Sequence, residues 1–348
     1  MLATAALSVP KALAAGRDSA PDVLGDRFNL ADSGARLIHE KTLHHATVMQ
    51  SFAFDELHGH VYALQVIPSE VQLPGESRTY DHAERRAAGD LCLNRLSMRG
   101  DVLGKMYLKG FGHGTAISVD SSRRSRGGAV TLWVECDANP ASGFGRAIGR
   151  FPYAENTVLH SADRRVTVYR PHPGSTANCA ALDLNNRRLL LRHGLPERRR
   201  YALYNLDAFT AGVFWPLIDF VQPGMDLGLP FQGMTLDGDY AYQLMGSGRD
   251  ANRSSEPDNT VLLHCIDVRT GAVVQEHKSQ AGYGLTHREP EGLAVLHGPR
   301  AREPQLCMGF ASGPPGGRKF SLYGLPTLSH GAHLAATETA VPDEPPRT

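Results

Sequence analysis

The chain has no net charge to speak of: 36 Lys and Arg stand against 36 Asp and Glu among 348 residues. Without an overall basic field nothing draws it onto nucleic acid, which is therefore not expected as a partner. No run of 18 or more apolar residues occurs, so no membrane span is expected. The cysteines are five, at positions Cys92, Cys136, Cys179, Cys265 and Cys307, and lack the short paired spacing of a zinc site or a redox dithiol. Each lies in an apolar run such as "GDLCLN" or "LLHCID", where a thiol serves as a small hydrophobe. Clean 3.6-residue periodicity and a phosphate-cradling glycine motif are also missing, which argues against an α/β nucleotide enzyme. No metal and no cofactor are expected; the adjacent His44 and His45 would point to opposite faces of a strand.

What is present favours turns and sheets. Glycine (36) and proline (22) make about a sixth of the chain, and 41% hydrophobic residues suffice for a sizeable core. One hexad recurs five times: "QSFAFD" from Gln50, "TAISVD" from Thr115, "NCAALD" from Asn178, "QGMTLD" from Gln232 and "EGLAVL" from Glu291. The starts lie 65, 63, 54 and 59 residues apart, room enough for four strands and their turns. A second strand-like run follows each copy: "VYALQV", "VTLWVE", "RLLLRH", "YAYQLM" and "PQLCMGF". Between these pairs, "LCLNRLSMRGDVLGKMYL", "YALYNLDAFTAGVFWPLI" and "LLHCIDVRTGAVVQEHKS" read as outer hairpins turning near Gly100, Gly212 and Gly271.

A four-stranded sheet cannot bury both faces alone, whereas radial stacking buries each against its neighbours. The expected fold is all-β, a single five-bladed β-propeller over residues 27–328, with an entry strand in 27–45 and a closing strand near 318–325. Residues 1–26 hold an Ala-rich run that reads either as the remnant of an export signal or as a disordered segment; the first reading leads to the expectation of a secreted or cell-surface protein, and a monomer is expected. Residues 329–348, ending in "PDEPPRT", form a polar tail. The arginine clusters at Arg123, Arg124 and Arg126 and at Arg198, Arg199 and Arg200 read as solvated loop charges.

In a propeller the innermost strand of each blade borders the axis, so the hexad starts should open onto one face. Gln50, Thr115, Asn178, Gln232 and Glu291 could form a polar ring that holds a ligand or ordered water. His113, His172, His287, Arg288 and Glu289 flank these positions. Glu291 and Glu289 with His113 or His287 would suit acid and base work on a glycoside, and Arg288 would suit an anionic group. The segment "ECDANPASGFGRAIGRFPY" combines Glu135 with Arg146 just after Trp133; aromatic faces and charged groups in one loop suit a carbohydrate.

The runs "QSFAFDELHGHVYALQV", "GHGTAISVD", "LWVECDAN" and "GRFPY" resemble propeller domains related to teichoic acid biosynthesis protein C and to phage receptor-binding proteins, over roughly residues 40–325. That resemblance implies a five-bladed propeller contacting a polysaccharide or teichoic-acid-like polymer outside the cell. It supplies no catalytic signature, and fold alone does not license function. Three readings stay open: a secreted module binding an anionic glycopolymer, a glycoside hydrolase or polysaccharide lyase on the same face, and a scaffold for protein partners.

Overall fold

The computed structural model describes residues 24–121, 130–248, 260–298 and 303–328. The Ala-rich start, the cluster at Arg123, Arg124 and Arg126 and the polar tail from 329 lie outside the described residues.

Each repeated hexad forms the first strand of an antiparallel sheet. Blade 1 runs Met49–Asp55, His60–Val66, Leu91–Ser97 and Val102–Lys109. Blade 2 is Ile117–Asp120, Thr131–Ala138, Gly145–Pro152 and Thr167–Tyr169. Blade 3 is Cys179–Asp183, Arg188–His193, Arg200–Asn205 and Ile218–Val221. Blade 4 is Phe231–Asp237, Tyr240–Gly246, Val261–Asp267 and Ala272–Lys278. Blade 5 takes Glu289–Leu296, Gln305–Ser312 and Lys319–Pro326 from the end of the chain and Ala35–Lys41 from its beginning. The first strand of every blade touches the first strands of the blades before and after it, and blade 5 meets blade 1, so the five hexads surround one axis.

Alternation within the strands delivers apolar side chains to both faces of each sheet, and a hydrophobic cluster fills each of the five blade interfaces. Tyr62, Leu93 and Met106 meet Ile117, Leu132 and Phe151 between blades 1 and 2. Ile148 and Tyr169 meet Leu189 and Leu191 between blades 2 and 3, and Leu190 and Tyr201 meet Met234 and Ile266 between blades 3 and 4. Tyr242 and Leu263 face Leu293 and Met308 between blades 4 and 5, while Phe320 and Leu322 face Phe52 and Val61 at the seam. All five cysteines are buried, and burial pushes their thiol pKa values up.

Near the axis the backbones themselves pack, which explains the small residue at the second hexad position. A Cβ on Gly233 would lie 2.8 Å from the Cα of Gly292, and one on Gly292 would lie 2.8 Å from the Cα of Ser51. The seam is closed by antiparallel pairing in which Ala35 stands opposite Gly324 and Lys41 opposite Phe320.

Three local features differ from the sequence expectation. Val158–His160 adds a fifth, parallel strand to blade 1, pairing Tyr107 with Val158 and tying blade 2 to its neighbour. The outer hairpin of blade 3 contains the short helix Leu206–Thr210, capped by the Asn205 side chain. His44 and His45 occupy a bend rather than a strand, and their rings meet edge to face at 4.5 Å.

Candidate functional site

The inner strands all run the same way along the axis, so their first residues gather at one mouth. Gln50, Thr115, Gln232 and Glu291 line a cleft of about 650 Å³ there, joined by His113 and Glu289. The hexad ends gather at the other mouth, a space of about 280 Å³ lined by Ile117, Leu182, Met234 and Leu293 together with Glu56, Asp183, Asn185 and His297. Polar groups thus border both mouths.

Within the cleft, Gln50 and Thr115 make no side-chain hydrogen bond to any described residue, while Gln232 donates to the Gly246 carbonyl at 3.0 Å. Glu289 Oε2 accepts a hydrogen bond from His287 Nε2 at 2.9 Å. Glu291 is nearly buried, and desolvation, reinforced by Glu289, holds its carboxyl well above the usual carboxylate range. The His113 imidazole is pushed down to about 4 by burial, then by Arg86 and His82, and its ring lies 4.9 Å from that of Phe144. The cleft therefore sets a carboxyl whose pKa is raised and an imidazole whose pKa is lowered beside the side chains of Phe144 and Phe231.

Other expected residues are placed elsewhere. Asn178 stops short of the cleft wall, which Thr176 and Ala177 supply, and its Oδ1 accepts from the Ser175 hydroxyl. His287 and Arg288 have positive φ, 67° and 43°, which turns the chain so that Arg288 points into the protein. There its guanidinium donates to the Ser279 carbonyl at 2.8 Å and to the Ala281 carbonyl, away from the anion-binding position expected of it.

The segment from Glu135 to Tyr153 is not a binding loop but the hairpin of the second and third strands of blade 2. Trp133 is 0% exposed and stacks on Tyr169 at 5.3 Å between blades 2 and 3, so its indole offers no face to a sugar. Arg146 pairs with Asp137 at 2.7 Å on the outer surface. Glu135 is buried beneath the cleft wall, where it accepts from the backbone N–H groups of Gly114 at 2.7 Å and Gly145 at 2.5 Å. Desolvation outweighs these bonds and raises its pKa to about 7. A Cβ on Gly112 would fall 2.4 Å from the Glu135 Cδ, so the glycines of "FGHG" make room for this carboxyl and cradle no phosphate.

Sequence reading missed the cations of the cleft. Arg192 and Arg199 both reach it, 8% and 7% exposed, and Arg86 stands at its rim. Arg199 belongs to the run assigned to solvent, yet its guanidinium turns inward and donates to the Thr176 and Gly194 carbonyls. The available signal was Arg192 itself, a charge near the end of "RLLLRH", whose three leucines are buried on both faces.

Fold and site together define a closed five-bladed β-propeller with a polar cleft over one end of its axis. The chain belongs to the phage 5-bladed β-propeller receptor-binding platform domain family, whose family model matches residues 48–324. A relative from Bacillus subtilis (strain 168), named as a major teichoic acid biosynthesis protein C, is 27% identical over 305 residues, covering 85% of this chain and 63% of that protein. The tail fiber of Staphylococcus aureus phage P68 has the same fold, with a TM-score of 0.60 and 18% identity over 89% of this chain and 54% of the fiber chain. The chain thus spans a little over half the length of these relatives.

Proposed function

We propose that this propeller is an extracellular or surface-displayed receptor-binding module that takes a cell-wall glycopolymer in the cleft over its axis. The observation that carries the reading is the pair of unpartnered polar side chains, Gln50 and Thr115, facing a cleft that also presents Gln232, Phe144 and Phe231. A free amide and a free hydroxyl beside aromatic side chains match the hydroxyls and apolar ring faces of a sugar or polyol chain. Membership of a receptor-binding family and the naming of a relative for teichoic acid biosynthesis support the same class of partner. Among the described residues no helix is long and apolar enough to cross a membrane.

The test is calorimetric titration of the protein with solubilised wall glycopolymer. Gln50→Ala combined with Gln232→Ala should weaken binding about tenfold, as expected for losing two hydrogen-bonding groups. Unchanged affinity in the folded double variant would remove the cleft from the binding reaction. Glu291 favours a second reading, cleavage of the bound polymer, because a buried carboxyl with a raised pKa is suited to donating a proton to a leaving oxygen. In that case new chain ends accumulate with the unsubstituted protein and not with Glu291→Gln.

A further inference from the structure

The cleft contains more positive charge than it neutralises. Arg192 extends from the second strand of blade 3 and Arg199 from the turn before the third, and both are nearly buried. Arg192 donates through Nε to Gln222 Oε1 at 2.7 Å and through Nη1 to the Ala177 carbonyl at 3.3 Å, with its guanidinium 4.0 Å from the centre of the Phe231 ring. Arg199 donates to the Thr176 and Gly194 carbonyls and, at 3.5 Å, to the Thr176 hydroxyl. Every one of these acceptors is uncharged. Among the described residues neither guanidinium has a carboxylate within ion-pairing distance, although their neighbours do: Arg85 is paired with Glu76 and Asp90, and Arg200 with Asp219.

A buried charge without a counter-charge is costly, and two adjacent ones more so. Burial and then Arg192 bring the Arg199 pKa down to about 10, which still leaves it protonated at neutral pH. The acids of the cleft do not pair with them: Glu289 is engaged by His287 and Asp90 by Arg85, and burial with the neighbouring Glu289 pushes the Glu291 pKa up. The two side chains are fixed by neutral acceptors and by an aromatic ring, so their remaining N–H donors are preorganised. Guanidinium geometry matches an oxyanion with two terminal oxygens.

We propose that Arg192 and Arg199 form a subsite for one oxyanion carried on the backbone of the bound polymer. The inference rests on the glycopolymer reading for the identity of the carrier, but not for the anion site itself. A phosphodiester and a uronate carboxylate share the required chemistry.

Two arms test it on the full chain. In the first, inorganic phosphate should raise the thermal midpoint of the unsubstituted protein, and Arg192→Gln or Arg199→Gln should abolish the rise. In the second, a polyol-phosphate oligomer, a polyuronate oligomer and an uncharged oligosaccharide are titrated by calorimetry. One anionic oligomer should bind, about tenfold more weakly to either variant, corresponding to one lost charge-assisted contact; which of the two binds identifies the source of the oxyanion. Should a glutamine variant not fold, Arg192→Lys and Arg199→Lys keep the charge, lose the fork and should show an intermediate loss. Phosphate and oligomer binding that both variants retain in full would overturn the subsite while sparing the glycopolymer reading. Phosphate binding that the variants lose, with no oligomer bound, would leave the subsite standing and sink the glycopolymer reading. No response to phosphate and no binding of either anionic oligomer would sink the subsite.

Discussion

Glu135 and His297 show how surroundings assign a role to a titratable side chain. Glu135 stands where two glycine-rich turns meet, and its carboxyl gathers the N–H groups of Gly114 and Gly145. Its replacement by alanine leaves both donors buried without an acceptor, each at a penalty of about 1–3 kcal/mol. Glu135→Ala should therefore lower the unfolding free energy by at least about 2 kcal/mol in chemical denaturation; a change below about 0.5 kcal/mol would refute the clamp. His297, at the opposite mouth, lies 2.8 Å from Asp237 and near Glu56, which raise its pKa to about 10 from an ordinary 6.5. The folded state holds this proton more tightly than the unfolded chain does, so its stabilising effect is complete below pH 6.5 and fades as the pH climbs through about 10. Between those values the thermal midpoint should fall more steeply for the unsubstituted protein than for His297→Gln. Parallel curves would show that the ion cluster does nothing for stability.

At the scale of the strand, the inner hexads carry a restriction that their apolar pattern does not reveal. Gly292 combines a φ of 84° with a Cβ position 2.8 Å from the Ser51 backbone, so alanine there meets both strain and a neighbouring strand. Gly174, also at 84°, has nothing within 4 Å. Gly292→Ala should cost roughly 2 kcal/mol or more and Gly174→Ala roughly 1, so that the difference measures the close approach of blades 5 and 1. Equal losses in denaturant titrations would show that only the backbone angle matters. The hexads were readable because five equivalent strands around one axis face the same demands. Small residues at the second position and apolar ones at the third and fifth follow from that equivalence. The parallel strand Val158–His160 was not readable, since three residues carry no periodicity and their pairing depends on a blade distant in sequence.

For the molecule as a whole, stability hinges on the seam where the two ends of the described chain meet. Phe28, Leu30 and Ile38 are buried by that closure, and Ala35–Lys41 covers the edge of the closing strand. Deleting residues 24–41 should lower the thermal midpoint by roughly 10 °C and produce larger species in light scattering, as an uncovered strand edge pairs with other chains. A monomeric product of unchanged midpoint would mean that the ring holds with three strands in blade 5.

The sequence by itself determined the class of fold, the number of blades, the inner strand of each and the face on which polar hexad starts emerge. Those are consequences of repetition and alternation, which are local. Tertiary structure alone decided what each exposed-looking or buried-looking group meets. Strand alternation sends Trp133 to one face of its sheet, but only the neighbouring blade makes that face a core. Two positive φ angles turn Arg288 inward, and packing against Thr176 and Gly194 turns Arg199 toward the axis from the midst of an arginine run. A side chain's direction along its own strand is set by period two; whether water, a carbonyl or another blade lies in that direction depends on residues far away in the chain.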